Sequence, residues 1–152
     1  MSDRFLRAWR GGRASRRARW VAAGYVVGFG EGTCSHAYSL CTGGIHAFSR
    51  APVPIQVVFH AMLALDVLAV VLTVRASPAA PPLAAFAISA DAFGNWWTQA
   101  GNVVRHPLDY LAPFGLLPIT LFGVFVLATA IPLHRALAAP PSAAGQTPEQ
   151  LV

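Results

Sequence analysis

The stretch PPLAAFAISADAFGNWWTQAGNVVRH, residues 81–106, restricts the fold more than any other part of the chain. It reads as an apolar helix whose polar side chains share one edge. At about 100° per residue, Asp91, Asn95, Thr98 and Asn102 fall at about 0°, 40°, −20° and 20°, with His106 at about 60°. Leu83, Phe86, Phe93 and Trp97 occupy the remaining surface. Most of such a helix suits lipid or a packed neighbour, while one narrow edge needs polar company.

The rest of the chain supplies candidates to cover that edge. Of the 152 residues, 55% are hydrophobic and 11% are charged, where a water-soluble domain holds about 25% charged residues. The expected fold is therefore all-α, an integral membrane four-helix bundle with spans at about 20–42, 53–74, 82–103 and 114–134. Each segment is long enough for a hydrocarbon core of about 30 Å. Residues 1–19 are expected to form a basic cytoplasmic arm and 20–137 the membrane domain, while 138–152, AAPPSAAGQTPEQLV, have no periodicity and read as a disordered tail.

All eleven basic residues are arginine, and seven of them precede Trp20. A basic arm can bind nucleic acid, but one joined directly to an apolar segment reads as an orientation signal, so no nucleic-acid partner is expected. With the N-terminus inside, Arg75 and Arg135 join the seven on the inner side, against Arg50 and Arg105 outside. The arginine bias puts both termini in the cytoplasm and the chain in the cell membrane as a multi-pass protein. The run from Val21 to Phe29, with Ser35-x-Ala37 after it, could be a cleaved leader, but the helical pattern continues past Ala37 without a break.

The first span is only weakly apolar. Gly24, Gly28 and Gly32 recur every four residues, a small-residue pattern that lets two helix backbones approach closely and that suits a homo-oligomer contact. Glu31 and His36 lie within the same span. In the second span Gln56 and His60 share a face, and Asp66 lies about 120° around from His60. Cys34 and Cys41 have no C-x-x-C or metal-type spacing and read as packing residues. The fourth span is apolar apart from Thr120 and Thr129, and is expected to face lipid or to act as a scaffold.

Depth brings the acids together. At about 1.5 Å per residue from the inner ends, Glu31 lies about 16 Å up, Asp91 about 14 Å and Asp66 about 12 Å. Three isolated carboxylates at mid-bilayer would together cost about 8–10 kcal/mol on insertion scales, so they require partners, protons or a solvated cavity. Pairing of Glu31 with His36 or His60, and of Asp91 with either histidine, is expected in a polar chamber between the first three spans.

Acids and imidazoles at one depth have the makings of general acid/base catalysis. Glu31, Asp91, His36 and His60 are the expected catalytic groups. Asn95, Trp96, Gln56, Asp66, Thr98 and Asn102 are the expected substrate contacts, with the Trp96 ring sheltering a cationic intermediate. The activity expected from this set is that of a membrane-embedded isomerase or cyclase acting on a lipidic or isoprenoid-type substrate. No cofactor or metal is expected. The alternatives are haem, a metal or a small solute held through His36 and His60, or an accessory subunit of a membrane complex. No P-loop, HExxH or GxSxG is present, which leaves nucleotide-dependent and familiar hydrolytic chemistry without support.

Overall fold

The computed structural model describes residues 15–111 and 116–139, and it is helical throughout with no strand among them. Helix α1 spans Arg16–Gly43, α2 Val53–Val74, α3 Ala80–Arg105 and α4 Leu116–Ala138. Short 3₁₀ turns at Gly44–His46 and Pro107–Leu111 follow α1 and α3. Four helices thus coincide to within a few residues with the segments expected as spans. The expected tail beyond Ala139, and the first fourteen residues of the expected arm, lie outside the described residues.

Local chemistry accounts for each boundary. The Ser15 hydroxyl accepts from the Ala18 amide at 3.2 Å, which starts α1 four residues earlier than expected. Arg16, Arg17 and Arg19 thus belong to its first turn rather than to an arm. The helix runs unbroken through Ala37 and stops where Gly44 takes a φ of 56° and its N–H bonds Leu40 O. Pro54, Pro81 and Pro82 sit in first turns, where no helical partner is lost. Pro107 follows His106, the C-cap of α3. Pro132, expected near the end of the fourth span, lies inside α4, which continues six residues further.

The helices form an antiparallel ring in which each packs on its neighbour in the chain and α1 closes on α4. One end of the ring is solid. There Ala69, Ala80, Ala84 and Ala87 are fully buried and bring the backbones together, and Tyr25, Phe29, Val126 and Leu133 fill the remaining space. Tyr25 donates its hydroxyl to Val126 O at 2.9 Å and lies 3.2 Å from Thr129 Oγ1, tying α1 to α4. Phe29 packs edge-on against Phe122 at 5.1 Å.

Gly24 and Gly28 explain how α1 and α4 come so close. A β-carbon on Gly28 would run into the Phe122 ring, and one on Gly24 would lie 2.9 Å from Phe125. Gly32 receives Asp66 instead. The glycine stripe expected to serve a second copy of the chain is thus occupied within this one, because the small residues make room for large side chains on α4 and α2.

Outward, the helices are apolar. Val57, Val67, Leu68 and Val71 of α2, Phe86, Phe93 and Trp97 of α3, and Leu121, Val124, Leu127 and Ile131 of α4 are exposed. Helices α2 and α4 are long and apolar enough to cross a membrane.

Candidate functional site

Beyond the solid end, the ring opens around a cavity of about 550 Å³. Glu31 and His36 reach it from α1, Asp66 from α2, and Asp91, Asn95, Thr98 and Gln99 from α3. Glu31, Asp66 and Asp91, the three acids within the expected spans, therefore line one space. The α3 stripe supplies its deep half to the cavity, while Asn102 and His106 are exposed beyond it and are not part of its wall.

Asp91 is the best connected of the acids. Its Oδ1 lies 3.7 Å from His36 Nε2, both side chains being mostly buried. The same oxygen accepts a hydrogen bond from Asn95 Nδ2 at 3.0 Å, and Asn95 Oδ1 accepts from Gln99 Nε2 at 2.9 Å. These three α3 residues are one turn apart, so the helix itself builds the ladder that fixes the Asn95 amide and, through it, the carboxyl. Of the expected pairings, Asp91 with His36 is present. Among the described residues no ion pair joins Glu31 to either histidine; Glu31 is exposed at the rim of the cavity.

Asp66 is only 5% exposed and lines the cavity, yet among the described residues its carboxyl makes no hydrogen bond and no ion pair. Gly32 gives it room: a β-carbon there would sit 2.8 Å from Asp66 Oδ2. The chain thus keeps one carboxyl tied to a base and an amide, and a second without a donor.

Three expected site residues are engaged elsewhere. His60 Nδ1 is 2.7 Å from Gln56 O on its own helix, and Gln56 Nε2 donates to Ala51 O at 2.8 Å. Neither lines the cavity, because their shared face of α2 turns to the loop after α1. Trp96 Nε1 donates to Thr120 Oγ1 at 3.0 Å and its ring lies against Tyr110, so it braces α3 on α4 and does not shelter the cavity. The Phe48 ring packs against both histidines, 6.1 Å from His36 and 5.3 Å from His60, centroid to centroid, and only His36 lines the cavity. No group of three or more His, Cys, Asp or Glu suited to a metal ion occurs among the described residues.

Other wall residues come from places the sequence reading passed over. Phe48, in the loop after α1, folds over the cavity against Phe59 at 5.1 Å. Pro118, Ile119 and Phe122 make α4 a wall of the cavity and not merely a scaffold beside it. The glycine spacing on α1 was the available signal for the Phe122 contact. For Phe48 there was none, since a loop side chain has no periodicity to read.

A donor–acceptor ladder, an imidazole and two further carboxyls around an apolar-walled space can hold a small molecule and exchange protons with it. No protein-family model matches the chain, and neither a curated protein nor a solved structure shows significant similarity to it.

Proposed function

We propose that the chain is a four-span protein of the cell membrane whose cavity admits a small, largely apolar molecule from the bilayer and exchanges a proton with it, as an isomerase or cyclase of isoprenoid-type lipids would. The helices hold 28, 22, 26 and 23 residues, which at about 1.5 Å per residue is enough for all four to cross a core of about 30 Å. The polar residues that lower the hydropathy of α1 and α3 include those facing the cavity, so their burden falls inside the ring and not on lipid. Arg16, Arg17 and Arg19 begin α1, Arg75 follows α2 and Arg135 lies near the end of α4, all at the solid end of an antiparallel ring. Arg50 and Arg105 are at the other end. That bias supports cytoplasmic termini.

The observation that carries the chemical reading is the His36–Asp91 pair at 3.7 Å inside a cavity shared with Asp66 and Glu31. Asp91, with one oxygen held by Asn95, serves as the base, and His36 as the acid that returns the proton. Thr98 and Asn95 present polar atoms to the bound molecule, and Phe29, Phe59, Ile88 and Phe122 present the apolar wall.

The test has two steps. Protein purified in mild detergent is extracted and its co-purifying small molecules are identified by mass spectrometry. The captured lipid is then incubated with the protein in D₂O, and carbon-bound deuterium is measured. Asp91→Asn and His36→Gln should each slow incorporation by about 10²-fold or more while leaving the circular dichroism spectrum and lipid capture intact. Undiminished exchange in both variants, or the absence of any defined captured molecule, overturns the reading.

A further inference from the structure

We infer that the cavity selects a lipophilic monocation, a tertiary ammonium whose N–H meets Asp66. The inference rests on the cavity reading above and adds the charge class of its occupant. Three carboxyls and one imidazole line the space, with no arginine among the wall residues. His36 is matched by Asp91 at 3.7 Å. Glu31 and Asp66 then have no counter-charge in the wall, and the field inside the cavity favours a positive centre.

Asp66 fixes where that centre sits. Glu31 is at the exposed rim and has water to solvate it, whereas Asp66 is 5% exposed, bonds to nothing among the described residues, and points into the space that Gly32 leaves open. A carboxyl taken out of water without a donor is costly, and a ligand that brings a charged donor removes that cost. The apolar side of the site suits the rest of such a ligand. Phe29 and Phe122 on one flank, Phe48 and Phe59 on another, offer ring faces to the cation and bulk to its substituents. These walls disfavour a hydrated metal ion, which needs a shell of oxygens. A cavity of about 550 Å³ lies within the about 300–1,000 Å³ of small-molecule sites.

The probes are dimethyl(phenylpropyl)amine, protonated at pH 7, and the hydrocarbon of the same skeleton with CH in place of the nitrogen. Binding of each to the full chain in lipid nanodiscs is measured by equilibrium dialysis, with empty nanodiscs subtracted. The amine should saturate the protein with an affinity at least about tenfold above that of the hydrocarbon. Asp66→Asn should remove that preference and leave hydrocarbon binding unchanged. Gly32→Ala, which drives a methyl against the carboxyl, should weaken the amine alone. Equal affinity for the two probes in the wild type, or amine binding untouched by Asp66→Asn, overturns the inference, and the wild-type ratio decides alone if the variant does not fold. Hydrocarbon binding without amine preference leaves the cavity reading standing and removes this one, whereas failure of both probes to bind removes both.

Discussion

Tyr25 and Thr73 each bury a hydroxyl, and among the described residues only one of the two has a partner. The Tyr25 hydroxyl bonds Val126 O across helices, so Tyr25→Phe removes that tie, leaving Val126 O to the Thr129 hydroxyl of its own helix, and should cost about 1 kcal/mol. Thr73 is 1% exposed and its Oγ1 has no hydrogen bond among the described residues. Thr73→Val keeps the shape and discards the unsatisfied group, and should leave stability unchanged or raise it by up to about 1 kcal/mol. Thermal unfolding of both variants in one detergent separates them; a loss in Thr73→Val as large as that in Tyr25→Phe would mean that the Thr73 hydroxyl is bonded. Individual site residues were legible to the extent that their placement is a local matter. Asp91, Asn95 and Thr98 follow from helical spacing, and the Gln99–Asn95–Asp91 ladder stays within one helix. His60 and Trp96 lie off the cavity wall because the neighbours that engage their rings, Phe48 for His60 and Thr120 for Trp96, are set by loop path and helix rotation.

At the scale of elements, α1 is shaped by what presses on it. Gly28 faces the Phe122 ring so closely that Gly28→Ala must displace it, at a cost of about 1–3 kcal/mol. Gly30, two residues on, has nothing within 4 Å of where a β-carbon would be, so Gly30→Ala should gain about 0.5–1 kcal/mol from helix propensity. Equal melting temperatures for the two variants would refute the close approach of α1 to α4. Helix positions could be read to within a few residues because apolar length and proline placement are written along the chain. The identity of the neighbours could not. The repeat Gly24, Gly28, Gly32 announces a tight contact without saying whether the partner helix is in the same molecule, and here it is filled by Phe125, Phe122 and Asp66. The apolar character of α4 likewise gives no sign that Pro118, Ile119 and Phe122 border a polar cavity, since such a border can itself be apolar.

For the molecule as a whole, the proposed orientation gives opposite accessibilities to the first two connections, α1 to α2 and α2 to α3. In a chain carrying Cys34→Ser and Cys41→Ser, Ser49→Cys should react in intact cells with a membrane-impermeant thiol reagent, and Ser77→Cys only after permeabilisation. The reverse pattern would invert the topology and put the open half of the ring towards the cytoplasm. The arginine bias that supports this orientation is visible without any structure, whereas the division of the ring into a filled half and a hollow half is not, because it depends on which small residues from four helices meet. That division limits what passes through the molecule. With Tyr25, Ala69, Ala84, Ala87 and Val126 fully buried beneath the chamber, packed side chains fill that end of the ring. Under the function proposed above, the chamber is a cul-de-sac in which a guest is captured and altered.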